Sequence, residues 1–344
     1  RLDCDRRARP MTDLRLDPRQ HALLCDLTAP EAPAPGRETL ACFGPRDLLD
    51  LARYHAIEAV VWRKLSPLSG GLDAGWAGMI AELTERVRIA TGVTMLLEAH
   101  ASRIVREMSD RRLPYRLVKG AAFAGALYPE VSDRPYTDVD ILVPAGSLED
   151  VGAVMREAGF GLAVLPRPEK TEIYREQKWM REGEPHLLVE VHTDLVHLPA
   201  LRRRVTFGFA EAEIADHGGS APASGHLLTA VVHGAIGHKF HQLKLAVDVL
   251  QAIRRLGDEM PLAVAAARRL NLTYELAAAA GLVGRLFPGA ARDARVAELA
   301  GLMKTPLWLD RDTITNAHLR GDIRSRFRRF AFRWRQKRAG QDGP

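Results

Sequence analysis

Apolar residues recur every three or four positions in two stretches of the chain and every second position in the stretch between them. Leu23, Leu24 and Leu27 share one helical face, and a Pro/Ala connector follows from Ala29 to Arg37. From Pro45, the positions Leu48, Leu49, Ala52, Ala56, Val60 and Val61 continue near helical spacing until Gly70 and Gly71 break it. A longer helix is predicted from Ala74 to Asp110, with Leu83, Val87, Ile89, Leu96, Leu97 and Ile104 among its apolar positions. At Arg111 the pattern changes. Tyr115 to Val118 predicts a strand, Ala121 to Tyr128 a helix, and Val139 to Val143 a strand stopped by Pro144. Ser147 to Ala158 predicts a helix ended by Gly159. Glu172 to Arg181 with Leu187 to His192 predicts a β-hairpin. His226 to Leu256 then reads as one long helical segment, followed by helices over Leu262–Leu270, Tyr274–Leu286 and Arg292–Met303. The expected organisation is an α/β (α+β) core, a small mixed sheet with helices, over residues 111–220. It is flanked by an N-terminal helical region, 1–110, a C-terminal helical region, 221–310, and a tail, 311–344.

Composition narrows the class. With 344 residues, 47% hydrophobic and 27% charged, the chain has the balance of a soluble globular protein, which excludes wholesale disorder and a fibrous repeat. No apolar stretch approaches the ~20 residues of a membrane-spanning helix. No apolar run follows the arginine-rich start, so no secretory signal is expected there, and Met11 points to residues 1–10 as either a start-site artefact or a disordered leader. Cys4, Cys25 and Cys42 form no Cys-x2-Cys pair, so the expected setting is reducing and cytoplasmic. The net charge of +6 is local. Residues 320–338 alone carry +8, which leaves the rest of the chain at −2. The basic character therefore belongs to a tail and does not make the whole protein a nucleic-acid binder.

Three features of the α/β stretch carry chemistry. In Leu117-Val118-Lys119-Gly120-Ala121-Ala122 a strand runs into a helix through glycine. Such a junction lets the backbone and the helix N-terminus approach a phosphate. In Thr137-Asp138-Val139-Asp140-Ile141-Leu142-Val143, strand alternation places Asp138 and Asp140 on one face. Adjacent carboxylates repel unless a cation sits between them, and hard oxygen ligands suit Mg²⁺. In Leu187-Leu188-Val189-Glu190-Val191-His192, Glu190 and His192 share the face opposite Val189 and Val191. If the two strands adjoin, three carboxylates meet, the ligand set of a two-metal phosphoryl-transfer site.

The run Leu117 to Phe123, with Tyr128-Pro129 and Arg134-Pro135-Tyr136-Thr137-Asp138-Val139-Asp140, resembles the uncharacterised nucleotidyltransferase family of bacteria. That family belongs to the DNA polymerase β-like nucleotidyltransferase superfamily. The resemblance extends to Gly159-Phe160, to Glu190-Val191-His192, and to a later helix with His233 and Asp248. It implies a polymerase β-like core that binds an NTP and two Mg²⁺ ions. It further implies that Gly120 is the phosphate-approach glycine, Asp138 and Asp140 the metal-binding pair, and Glu190 the third carboxylate, which helps activate the attacking hydroxyl. Many superfamily members place serine after the glycine. Here Ala121 follows, and Lys119 stands as a point-charge phosphate binder. The implied activity moves NMP from the NTP to a hydroxyl acceptor (a small molecule, peptide, protein or tRNA) with release of pyrophosphate. The alternatives are an inactive nucleotide-binding module of the same fold and a toxin-like transferase.

Further residues join this set as candidates. Arg134 lies in the loop above the site as a triphosphate clamp. His192 is a partner of the carboxylates, and His233 lies in the later helix. Lys244 and Asp248, four residues apart on one helix face, would touch and orient the phosphates. His238 and His241 have metal-ligand spacing but no evident third ligand. In the tail, Ile323, Phe327, Phe330, Ala331 and Trp334 form an apolar stripe among arginines. The stripe is expected to dock on the protein's own body with the arginines solvated. The other reading is contact of the 320–338 segment with RNA or an anionic surface.

Overall fold

A computed structural model describes residues 13–163, 175–181, 183–319 and 321–339 of the chain, with the side chains of 184–186 left aside. The expectations for the 1–10 leader, Cys4, the hairpin strand before Arg175, and Arg320 lie outside the described residues.

Helix α1 (Pro18–Thr28) starts at a capping box: the Asp17 carboxylate accepts from the backbone of Arg19 and Gln20, while the Gln20 side chain accepts from the Asp17 N–H. The periodic stretch after Pro45 divides into α2 (Pro45–His55) and α3 (Glu58–Leu65), because Ala56 between them adopts a left-handed conformation, φ 53°. Helix α4 (Ala74–Asp110) has the predicted bounds and is capped by the Asp73 carboxylate. Its 37 residues, about 55 Å long at 1.5 Å per residue, serve two cores. Trp76, Met79, Ile80 and Leu83 pack with the other helices, whereas Leu97, Ala101, Ile104 and Met108 pack under the sheet. Ile89 and Leu96, expected among its apolar positions, are exposed at the change from one core to the other.

The sheet has five strands: β1 (Arg116–Val118), β2 (Val139–Leu142), β3 (Phe160–Leu162), β4 (Glu176–Arg181) and β5 (Glu184–His192). Their order is β1-β2-β5-β4-β3. Among the described residues only the β2–β5 pair is parallel. The pattern did not reveal β3. Helices α5 (Gly120–Leu127) and α6 (Leu148–Glu157) follow β1 and β2. Val139, Ile141, Val189, Val191 and Trp179 form one core with α4 and α6. One face of the sheet is therefore apolar and buried, which leaves the other for polar side chains.

The C-terminal half is helical: α7 (Pro222–Val231), α8 (Leu243–Arg255), α9 (Met260–Arg269), α10 (Thr273–Leu286) and α11 (Ala294–Gly301). The single helix expected over 226–256 is thus broken. A π-helical turn covers Val232–Gly237, and Lys239 and Phe240 have positive φ before α8 begins. Packing causes the break: the buried Phe240 ring folds back over Gly234. These helices share one hydrophobic core with α1, α2, α3 and the start of α4, so the N-terminal and C-terminal helical regions are packed together. Helix α12 (Ile323–Arg338) reverses the expected arrangement of the tail. Arg329 donates to the carbonyls of Lys239 (2.7 Å) and Thr313 (3.0 Å), and Arg333 to that of Ile236 (2.7 Å). Helix and turn ends leave such carbonyls unpaired, and guanidinium groups satisfy them. The arginines of the inner face thus hold the tail down, and the aromatic stripe faces outward.

A methyl group on Gly234 would lie 2.5 Å from the Phe240 ring, whereas one on Gly237 would meet nothing closer than 3.9 Å. Gly234→Ala is therefore expected to destabilise the protein by about 1–3 kcal/mol, and Gly237→Ala not to, in denaturant unfolding. Equal stability of the two variants would contradict this packing account.

Candidate active site

Register builds the site. Asp140 on β2 pairs with Glu190 on the parallel strand β5, and Glu190 pairs in turn with Lys178 on β4. One step along, His192 pairs with Glu176. Alternation sends Asp140, Glu190, His192, Glu176 and Lys178 to the polar face, because Val139, Ile141, Val189 and Val191 take the apolar one. Asp138 stands just ahead of β2, and Lys119 just past β1.

Asp140, Glu190 and His192 are buried, so their charges and lone pairs need partners. Lys119 Nζ donates to Asp140 Oδ1 at 2.6 Å, and His192 Nε2 lies 2.8 Å from the same oxygen. Lys178 bridges Glu190 and Glu176. Burial alone would raise the Asp140 carboxyl, but Lys119 and His192 override it and hold it well below the usual carboxylate range. Asp138 makes no ion pair among the described residues: burial, then repulsion from Asp140 and Glu190, outweighs the more distant Lys119 and Lys244 and pushes it up to about 6. Lys119 caps α5 with φ 54° and ψ −125°, a conformation that favours glycine and costs about 1–3 kcal/mol elsewhere. It places the ammonium on the carboxylates.

The ligand atoms of Asp140, Glu190 and His192 lie within 4.8 Å of one another, and Glu176, His192 and His197 form a second such group. Among the described residues His192, not Asp138, completes the tight group around Asp140 and Glu190. Asp138 lines one cavity, with a volume of about 560 Å³, together with Asp140, Glu190, Glu176 and His197, whereas His192 lies behind that wall. Its walls come from all three regions of the chain: Glu58 and Arg86, the sheet face with Lys119 and Gly120, and His233, His238, His241 and Lys244. Burial, then the cation of Lys119, keeps His233 neutral, and its Nδ1 has no hydrogen-bond partner among the described residues. Burial, then Arg134, lowers the Lys244 ammonium to about 8.

Most of the residues expected from the sequence line this cavity, but several have different surroundings. Arg134 and Asp248 are spent on each other, in two bonds of 2.8 and 3.0 Å, and Tyr128 Oη donates to the same carboxylate at 2.6 Å. Arg134 still lines the cavity, but Asp248 does not, and it pairs with Arg134 rather than with Lys244. Gly120 is required by a neighbour: a Cβ there would lie 2.8 Å from Tyr136 Cβ. Ala121 packs against the sheet core instead of facing the cavity. His238 and His241 line the cavity, and their closest described ring neighbours are each other and His233. Sequence reasoning missed Glu176, Lys178 and His197. The alternation of Glu176 and Lys178 opposite Glu190 and His192 was the available signal.

No curated protein and no solved structure matches the chain. One family model, described as an uncharacterised nucleotidyltransferase, matches residues 42–288. That span runs from α2 to the end of α10 and contains every side chain of the polar face. The span covers 119–120, 138–140 and Glu190, and the chain belongs to the uncharacterised nucleotidyltransferase family.

Proposed function

We propose that the protein moves a nucleoside monophosphate from an NTP to a hydroxyl acceptor and releases pyrophosphate, with the reaction centred on Asp138, Asp140 and Glu190. The observation that carries this reading is the pairing of Asp140 with Glu190 on one buried polar face, beside an Asp138 whose carboxyl is pushed up to about 6 by burial and by those neighbours. Such a face has an excess of negative charge that a cation relieves. Its oxygen donors fit a hard divalent ion such as Mg²⁺, which Asp138, Asp140 and Glu190 would hold. Two Mg²⁺ ions bound there would offset the charge of the triphosphate and of the attacking oxygen.

The chain's own groups do the rest. Lys119 keeps Asp140 ionised. Lys244 reaches the cavity as a cation for the phosphates, and Lys119 and Gly120 line the same wall. Glu190 takes the proton of the acceptor hydroxyl as its oxygen bonds to the α-phosphorus and the bond to the β-phosphate oxygen breaks. The Arg134–Asp248–Tyr128 cluster fixes the loop that leads to Asp138. This is a positioning role, which replaces the triphosphate clamp expected of Arg134.

The test is incubation of the full chain with each α-labelled NTP, Mg²⁺ and size-fractionated lysate. Label should pass to one lysate component, and Asp138→Ala/Asp140→Ala should reduce transfer by at least about 100-fold. Transfer that survives in the double variant would overturn the assignment. Absence of transfer by a folded wild type would favour the nucleotide-binding module. Lys244→Gln is expected to raise KM for the NTP by about 10-fold with a smaller change in kcat, because it removes one charge-assisted phosphate contact. An unchanged KM would remove Lys244 from the phosphate site.

The Asp138 carboxyl gives a pH prediction. Its folded-state pKa lies above the unfolded one, so the folded state binds the extra proton between about 4 and 6 and loses stability as pH rises through that window. Above pH 6, without divalent ion, Asp138→Asn should therefore be more stable than the wild type by on the order of 2 kcal/mol. Mg²⁺ should stabilise the wild type increasingly as pH rises through 6, and Asp138→Asn much less. Thermal melts with and without Mg²⁺ across this range decide it, and a pH-independent Mg²⁺ effect would contradict it.

A further inference from the structure

The outer face of α12 is the other chemically pronounced surface of the molecule. Ile323, Phe327, Phe330 and Trp334 are 78%, 59%, 67% and 42% exposed. At spacings of four, three and four they form one stripe along the helix. This is no loosely attached tail: Ser325, Phe332 and Gln336 on the inner face are buried, and Arg329 and Arg333 bond to backbone carbonyls of the body. Exposed Arg326 and Lys337 flank the stripe on one side and exposed Arg324 and Arg338 on the other. Arg338 stacks on the Trp334 ring, 4.0 Å from its centroid. Trp308, itself exposed, meets Phe327 edge to face at 6.2 Å and broadens the apolar surface. A contiguous apolar patch of this kind on a soluble chain marks a contact surface.

From this geometry we infer that α12 docks the protein on an anionic lipid bilayer, lying in the plane of the headgroups. The two flanks of cations select a negatively charged partner. They also disfavour a second copy of the helix, which would bring cations against cations. The hollow among Ile323, Arg326, Phe327 and Phe330 is open to solvent and edged by a cation, not an enclosed apolar seat for a protein segment, and Ile323, the stripe's most exposed member, has no ring on which a nucleic-acid base could stack. A bilayer interface suits each part. It takes Phe, Trp and Ile into the acyl boundary and leaves the arginine and lysine heads at the phosphates. Because Arg333 and Gln336 bond to the carbonyls of Ile236 and Ala235, docking would fix the π-helical turn that carries His233 relative to the membrane.

The test mixes the full chain with vesicles of phosphatidylcholine alone or of phosphatidylcholine with phosphatidylglycerol, and measures co-sedimentation and tryptophan emission. The protein should bind the anionic vesicles, weaken with added salt, and show a blue shift that Trp334→Phe reduces. Phe327→Ser/Phe330→Ser, which alters only exposed side chains, should leave the melting temperature unchanged and weaken binding by at least about 10-fold. Arg324→Gln and Arg326→Gln should each weaken it by about 5-fold. The inference fails if the wild type ignores both vesicle types or if the Phe variant binds as well as wild type. It also fails if the Phe pair proves to matter only for self-association or for single-stranded RNA.

Discussion

The structure depends on one buried register: strand β2 beside strand β5, in parallel, with Asp140 level with Glu190. Two carboxylates at that spacing, out of water, are untenable without compensation. The surrounding architecture supplies it. Strand β1 ends where Lys119 can reach Asp140, and the backbone accepts a positive φ to place it there. Strand β4 brings Lys178 across from Glu190. His192 closes the remaining side. Asp138, at the mouth of the strand, is the least compensated of the three: burial and its acidic neighbours outweigh Lys119 and Lys244 and raise its proton affinity.

The helices serve this face in two ways. Helix α4 joins the sheet core to the helical core, so the apolar side of the sheet and the packed helices are held by one element. On the polar side, the break between α7 and α8 turns His233, His238 and His241 toward the cavity. A continuous helix through those residues would have kept a single packed face. The Arg134–Asp248 pair ties the loop before β2 to α8 and spans the two halves of the cavity wall. It is buried, so loss of either partner would strand a charge.

Much of this was legible in the sequence. Alternation identified β2 and β5 and their inward residues, because Asp and Glu are disfavoured within Val/Ile strands and stand out where they interrupt one. The bounds of α4 followed from periodicity and from the break at Gly70 and Gly71. The rest depended on contacts distant in sequence. The break at Val232–Gly237 is set by Phe240 folding over Gly234, which helical spacing cannot show. The role of Gly120 depends on Tyr136, sixteen residues on. Glu176 and Lys178 alternate visibly in the sequence, but strand register is what sets them beside His192 and Glu190. The orientation of α12 was inverted because the sequence shows arginines and aromatics but not the orphan carbonyls of Ile236, Lys239 and Thr313, which decide which face turns inward.

The most direct measurement is a crystal of the full chain with Mn²⁺ and a non-hydrolysable NTP, with the metal located by its anomalous scattering. The account predicts a peak bounded by Asp138, Asp140 and Glu190, with the triphosphate toward Lys244. No peak there, or a peak confined to Glu176, His192 and His197, would contradict it.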